Sequence, residues 1–580
     1  MLRSKIPENI LERLRANLEL CYPGEKVMPG VLAVLKKYLK KANPGKENAK
    51  WSEKDVILIT YADSMLEDKK SPLQTLHSFL LNYLQNEISI VHLLPFFPYS
   101  SDDGFSVIDY REVNPTAGNW ADIARLSEDF SLMFDFVVNH ASAQGSWFKK
   151  YLKSEEPYLR YFKEASPEED LSEVVRPRSS PLLQKVSTAR GEKYVWCTFS
   201  HDQIDLNFEN PEVLIEFLDI LLFYASRGAR VIRLDAVAFL WKKAGTKSIH
   251  LPETHAIIRI FRDVFELYDP RAIVLTETNV PNRENLSYFG NRNEAHMIYN
   301  FSLPPLLVDA LTRGRAEHLK SWMMSMPPAP FGCTYMNFTA SHDGIGLRPA
   351  EGLLSDEQLQ QMLDTMRKFG ARISMRSKPD KSESPYEVNI SLFEALKGTV
   401  KGEDDFQVQR FIASQVIMMS LEGIPAFYIH ALFATPNDYE GLEATGHNRS
   451  INRKKWKYSE LETRLNDINS VHGRVFSELK RLVGIRKMQP AFHPNATQYT
   501  LQLGPNILGI WRQSLQREQS IFAIVNLSDE SRVLHLTDLN LIGNEKWVDL
   551  IEGTTLSDIY SEVMLKPYQC LWLSNQGEQA

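Results

Sequence analysis

Eight short runs rich in apolar and β-branched residues, spaced along the middle of the chain, most constrain what this sequence can fold into. They are VILITYA (56 to 62), ISIVHLLPF (88 to 96), LMFDFVVNH (132 to 140), ARVIRLDAV (229 to 237), AIVLTETN (272 to 279), HMIYNF (296 to 301), TYMNFTASHD (334 to 343) and IPAFYIHAL (424 to 432). Runs this apolar read as strands buried on both faces. Between many of them stand helical patterns such as SPLQTLHSFLLNYLQ, NPEVLIEFLDILLFYAS and LPETHAIIRIFRDVFEL. Strands alternating with helices imply a parallel sheet, and eight of them imply an α/β fold closed into a (β/α)8 TIM barrel.

Two connections are too long for plain barrel loops, 141 to 228 after the third strand and 344 to 423 after the seventh. Connections of that length usually carry function, and here they are expected to form inserted loop subdomains at the C-terminal rim. Residues 1 to 50 carry helical periodicity and many lysines, closed by the linker NPGKENAKW. Beyond about 485, YTLQLG, ILGIWRQ, SIFAIVNLS and CLWLS read as a C-terminal antiparallel β domain. The expected division is a helical extension over 1 to 50, a catalytic barrel over 51 to 485 and the β domain over 486 to 580.

A net charge of −7 gives no reason to expect nucleic acid or an anionic membrane as partner. Cys21, Cys197, Cys333 and Cys570 lie far apart with no C-x-x-C spacing, which argues against a disulfide framework or a zinc site. The N-terminus lacks the apolar core of a signal peptide, and no apolar run approaches the ~20 residues of a membrane span. A cytoplasmic protein with no cofactor and no metal is expected, and the oligomeric state is left open, a homodimer included.

Inside VIRLDAVAFL, Arg233 and Asp235 stand two apart in a run that otherwise reads as fully buried. Residues two apart on a strand share a face, and buried charges are costly unless paired or used. An ion pair holding the barrel interior together would account for this stretch alone. Polar residues, however, recur at the same end of successive strands: Asp135, Asn139 and His140 on the third, Glu277 and Asn279 on the fifth, His342 and Asp343 on the seventh. Singly these read as rim or turn residues, but together they mark the catalytic mouth of a barrel. Three carboxylates there suit glycoside chemistry, in which one acid protonates the leaving oxygen and a carboxylate attacks the anomeric carbon. Arg233 is placed to keep Asp235 ionised, and Glu277 is the candidate acid.

DFVVNH, VIRLDAV, LTETN and TASHDG resemble, in order and on the expected strands, the four signature regions of the α-amylase superfamily, glycoside hydrolase family 13. The resemblance covers roughly residues 55 to 490, with a following β domain also usual. It implies that Asp235 is the nucleophile, Glu277 the general acid/base and Asp343 the carboxylate that binds sugar hydroxyls. His140, Arg233 and His342 would contact or support the glucosyl ring.

LLPFFPYSSDDGFSVIDY, RLDAVAFLWKKAGT, YNFSLPPLLVDAL, SHDGIGL and GHNRSINRKKW look like the sucrose-phosphorylase subfamily, which moves a glucosyl group from an α-glucoside to inorganic phosphate with retention. Asp102 and Arg449 then correspond to the pair holding the far hydroxyls of the glucosyl ring, with Phe105 and Phe199 as apolar walls. VVRPRSSPLL supplies Arg176 and Arg178, similar to the subfamily's R-P-R acceptor loop, with Arg178 facing phosphate; a solvated basic turn stiffened by Pro177 is the plainer reading. SPYEVN brings Tyr386 and Glu387 to the acceptor site.

The acceptor residues depart from true sucrose phosphorylases. Asn279 stands in place of His, Phe239 in place of Tyr, and Glu387 in place of Gln. The chain looks closer to the branch acting on glucosylglycerate or glucosylglycerol. Glu387 adds negative charge on the acceptor side, and Pro436 stands where relatives place Arg or Lys. Charge therefore favours neutral glycerol, although Arg176 or Arg178 could serve a carboxylate. Sucrose and sucrose 6'-phosphate remain as alternative donors, and an α-glucosidase or transglucosylase of the same family would carry the same triad. A non-catalytic amylase-like scaffold lacks support, because the triad is complete.

Overall fold

Eight parallel strands close into a barrel in chain order: β1 Ile57–Thr60, β2 Ile90–Leu93, β3 Ser131–Val137, β4 Ala229–Asp235, β5 Ile273–Thr276, β6 Met297–Tyr299, β7 Thr334–Phe338 and β8 Ile424–Tyr428. Ile57 pairs with Ile90 on one side and Ala426 on the other, which completes the ring. The computed structural model describes residues 6–40, 49–377, 382–543 and 545–576. The run 43–48 of the expected linker and the first five residues of the N-terminal extension lie outside the described residues.

All eight apolar runs form strands, but the strands are shorter than the runs, chiefly at their C-terminal ends. Ladder pairing between β4 and β5 stops at Leu234 with Thr276, and one further bond, from the Glu277 N–H to the Leu234 carbonyl at 3.0 Å, ends the contact. β8 stops at Tyr428 and the apolar run continues as the helix Ile429–Leu432. His140–Ser142 leaves β3 to pair with Gln203–Asp205. The segments that follow must splay around the rim, so Asn139, Glu277, Asn279, His342 and Asp343 sit just beyond the ladders rather than within them.

The long connections hold small sheets of their own. The first contains the hairpin Leu183–Thr188 with Gly191–Trp196, and the second a three-stranded sheet of Ile345–Gly346, Glu383–Asn389 and Arg372–Ser377. Each returns to the barrel through a helix, Pro211–Ser226 before β4 and Gln407–Ser420 before β8. Pro211 opens its helix with the Asn210 side chain accepting the Glu212 N–H, an N-cap with Pro in the first turn.

Two N-terminal helices, α1 Glu8–Cys21 and α2 Met28–Tyr38, lie against the outer surface of the barrel helices Pro252–Tyr268 and Pro211–Ser226. Leu11, Leu14 and Leu18 at i, i+3 and i+7 give α1 a buried apolar stripe. Polar clasps flank it: Arg13 donates to Asp263 at 2.6 Å, Arg259 to Asn17 at 2.8 Å and the Tyr22 hydroxyl to the Phe208 carbonyl at 2.8 Å. At the other end of the chain, Thr497–Leu501, Ile507–Gln513, Ser520–Asn526, Cys570–Ser574, Val548–Asp549 and Thr554–Thr555 form an antiparallel sheet in that spatial order. Trp572 joins it to the barrel, its indole N–H donating to Ser420 Oγ at 2.9 Å. Among the described residues no helix is long and apolar enough to cross a membrane.

Candidate active site

The C-terminal mouth of the barrel opens into a cleft. Strand pairing builds its floor. Asp135 is the register partner of Arg233 across β3 and β4, and Asp235 lies two residues on, so all three project into the barrel. Arg233 Nη1 donates to Asp235 Oδ1 at 2.8 Å and also to Asp135, while its Nε donates to the Tyr299 hydroxyl at 3.0 Å. His92 holds the second oxygen of Asp135 at 2.8 Å. Arg233 is thus both the interior ion pair and the direct partner of Asp235.

Immediately after Asp235 the backbone turns left-handed at Ala236, with φ 49°. That turn aims the Ala236 N–H at Glu277 Oε2, 3.0 Å away, and so fixes Glu277 beside Asp235. Asp343 comes from the loop after β7. Arg449 Nη1 stands 2.5 Å from its Oδ1, and His342 Nε2 and Arg453 Nη2 lie 3.6 and 3.8 Å from the same atom. Gly344 follows because a Cβ there would fall 2.6 Å from Glu387 Cγ, so only glycine lets this loop lie against the inserted sheet.

The three carboxyl groups are not electrostatically alike. Burial raises Asp235 well above the usual carboxylate range, with Arg233 opposing and the charges of Glu277, Asp135 and Asp343 adding. Burial also raises Glu277, again against Arg233 and with Asp343 adding. Asp343 is buried too, but the Arg449 and Arg453 guanidiniums outweigh that and hold it well below its ordinary value. Asp235 and Glu277, both raised and side by side, titrate as a pair rather than singly. The direct guanidinium hydrogen bond favours Asp235 as the ionised member, leaving the proton on Glu277.

The flanks of the sugar-sized end are aromatic and neutral. Phe105 stacks flat on His342, ring centroids 5.0 Å apart, and Phe199 lies 5.3 Å from the His140 ring. Burial lowers the pKa of both histidines, which keeps the imidazoles uncharged near neutral pH. His140 Nε2 donates to the Phe105 carbonyl at 2.9 Å, with Nδ1 facing the Asn139 amide at 3.2 Å. Asp102 sits on a left-handed turn made possible by Gly104, whose Cβ would strike the Pro95 carbonyl at 2.6 Å. Gln203 Nε2 donates to Asp102 at 3.2 Å and braces it.

The opposite end is formed by the two long insertions. Arg178 stacks over two rings, its guanidinium carbon 5.3 Å from the Tyr386 centroid and 5.8 Å from that of Phe199. Asn279 and Arg348 complete this wall. Among the described residues, Asn279 Oδ1 and Arg348 Nε are buried without a hydrogen-bond partner.

Of the residues singled out in the sequence, Asp102, Phe105, His140, Arg178, Phe199, Arg233, Asp235, Glu277, Asn279, His342, Asp343, Tyr386 and Arg449 all line this one cleft. Arg176 and Glu387 do not. Arg176 lies outside the lining, with its Nε buried and unpartnered among the described residues. Glu387 stands behind the wall, where it accepts from Arg449 Nε at 3.1 Å and Nη2 at 2.9 Å as a bidentate pair. Its charge is therefore spent on Arg449 rather than presented to the acceptor. Gln203 and Arg348 line the cleft and were not anticipated. Arg348 follows SHDGIGL directly, which was the available signal; Gln203 comes from the far end of the first insertion and had none.

Residues 78–343 match the family model described as Alpha amylase, catalytic domain. The chain is 42% identical over 529 residues to the glucosylglycerate phosphorylase of Spirochaeta thermophila, covering 90% of each protein. It is 29% identical over 449 residues to the glucosylglycerol phosphorylase of Marinobacter adhaerens, covering 75% of this chain and 88% of that one. Among solved structures, sucrose 6F-phosphate phosphorylase from Thermoanaerobacter thermosaccharolyticum superposes with a TM-score of 0.72 at 23% identity, over 88% of this chain and 98% of the other.

Proposed function

The chain belongs to the α-amylase family, glycoside hydrolase family 13, among its sucrose-phosphorylase-like members, and from that membership we propose that it is a retaining glucosylglycerate phosphorylase. It would take the glucosyl group from an α-glucoside of glycerate and pass it to inorganic phosphate, giving α-glucose 1-phosphate and glycerate.

In the first displacement a carboxylate oxygen of Asp235 attacks the anomeric carbon while Glu277 gives its proton to the glycosidic oxygen. The carbon–oxygen bond to glycerate breaks and a glucosyl ester forms on Asp235. In the second, a phosphate oxygen attacks the same carbon, its proton passes to the Glu277 carboxylate, and the ester bond to Asp235 breaks. Two inversions retain the α configuration. Asp343, held ionised by Arg449, binds hydroxyls of the distorted ring, and Asp102 takes those at the far edge. Arg178 holds the phosphate through charge-assisted hydrogen bonds.

The observation that carries glycerate over glycerol is the bidentate Glu387–Arg449 pair. Read from sequence, Glu387 was a negative charge on the acceptor side and favoured a neutral aglycone. With that charge neutralised behind the wall, the acceptor end presents Arg178 with no acidic partner among the described residues and suits an anionic leaving group. The greater similarity to the glucosylglycerate enzyme than to the glucosylglycerol enzyme supports the same choice. Cys21, Cys197 and Cys333, buried as free thiols, fit a reducing cytoplasm.

The test is a phosphorolysis screen of purified protein over glucosylglycerate, glucosylglycerol, sucrose and sucrose 6'-phosphate, read as glucose 1-phosphate released. Highest kcat/KM on glucosylglycerate is expected. Glucose released at a comparable rate without phosphate would instead identify a hydrolase.

A further inference from the structure

Every guanidinium that lines the cleft has an evident function in the structure except one. Arg233 bonds to Asp235 and Asp135, Arg449 to Asp343 and Glu387, and Arg178 stacks between the Tyr386 and Phe199 rings. Arg348 lines the same cleft on the short turn Arg348–Ala350, its side chain only 13% exposed. Its Nη2 lies 4.0 Å from Glu284 Oε2, the edge of ion-pair range, and that oxygen already faces His250 Nε2 at 3.0 Å. The nearby Glu351 is engaged by Arg376 at 2.5 Å. Burial, with Arg376 adding repulsion, lowers the Arg348 pKa against the smaller opposing pull of Tyr386, Glu351 and Glu284.

A largely buried guanidinium without a close anion is unfavourable in the empty protein and is relieved by an anionic ligand. The proposed substrate supplies one in a defined place. In a 2-O-glucosylated glycerate, the carboxylate is attached to the carbon bearing the glycosidic oxygen. It must therefore lie near Glu277, which protonates that oxygen, and in a cleft already lined by four acidic groups, Asp102, Asp235, Glu277 and Asp343, it requires a cation. Arg348 shares that wall with Glu277 and Asn279, and Asn279 Oδ1 is the other buried polar atom there that lacks a partner among the described residues.

We propose that Arg348 is the specificity-determining residue of the aglycone subsite: its guanidinium binds the glycerate carboxylate, and Asn279 Oδ1 accepts from a glycerate hydroxyl. Arg178 serves phosphate in the second half of the cycle, so the two anions are read by different arginines. This assignment rests on the glucosylglycerate reading and deepens it.

R348Q and R348K are compared with the unaltered protein on glucosylglycerate and on glucosylglycerol, which differs in having CH2OH where the acid has its carboxylate. R348Q is expected to lower kcat/KM on the acid by ~10- to 150-fold, the value of one charge-assisted hydrogen bond. The loss on the neutral glucoside should be at least about tenfold smaller, with the KM for phosphate moving less still, and R348K should recover part of the loss. Equal losses on both glucosides, or a loss falling mainly on the phosphate KM, overturn the assignment. Calorimetric binding of free glycerate to the unaltered protein and to R348Q reads the same contact without turnover. Weaker binding to R348Q is expected, and equal binding overturns it. Failure of the unaltered protein to cleave glucosylglycerate would refute the proposed function, while glycerate binding would still decide the role of Arg348.

Discussion

The two ends of the cleft are built on opposite electrostatic plans. At the sugar end, charges answer one another: Asp135 and Asp235 to Arg233, Asp343 and Glu387 to Arg449. At the acceptor end, Arg178 lies over aromatic rings and Arg348, among the described residues, comes no nearer an acidic partner than the 4.0 Å to Glu284. The first end is arranged before substrate arrives, as electrostatic stabilisation of a transition state requires. The second is left incomplete among the described residues, and in the proposed reading it is finished by whichever anion is present. A phosphorylase needs such a division, because the glucosyl group stays in place while the aglycone and phosphate succeed each other.

The harshest way to break the sugar end is to remove the group proposed to carry the covalent bond. Asp235→Asn should lower kcat by about 10⁴-fold or more, with the circular dichroism spectrum unchanged. Activity at a tenth of the original would contradict the nucleophile assignment. Glu387→Gln attacks the same network one layer back by leaving Arg449 half paired. It should cost about 10- to 100-fold in kcat/KM on neutral and acidic glucosides alike, and a loss confined to the acid would move Glu387 to the acceptor end after all. Arg178→Ala probes the other end. The KM for phosphate should rise about tenfold or more while the KM for the glucoside changes less, and equal changes in both would erase the contrast drawn here.

The mildest effect is on pH. In the proposed mechanism Glu277 must be protonated to release the aglycone, and its raised pKa keeps the proton in place to higher pH than an ordinary carboxyl would. Phosphorolysis should therefore fall on an alkaline limb as pH rises through that value. Because the charge of Asp343 helps to raise Glu277, Asp343→Asn should move the limb of its residual activity to lower pH. A limb that stays or moves upward would show that Asp343 does not act on Glu277.

How much of this was legible in the sequence follows from how local each signal is. Strand periodicity and the motifs around Asp235, Glu277 and Asp343 are written in consecutive residues, and the barrel and its carboxylates could be read from them. Where strands end is set by neighbours across the ladder, which is why the runs overreached at Glu277 and Asp343. Glu387 and Arg449 are 62 residues apart, so their pairing, and with it the sign of the charge facing the acceptor, could not be read from either motif. Gln203 reaches Asp102 across 101 residues and was missed for the same reason.

Ala236 shows what such a site asks of the chain that carries it. An L-residue held in the left-handed region forgoes roughly 1–2 kcal/mol, and glycine would accept the same turn without that cost. Glycine would also let the hinge between the two reacting acids wander, so a gain in melting temperature in Ala236→Gly would come with a blurred line of fire. The small methyl at this corner is a rivet, and tightness there is bought with thermal robustness.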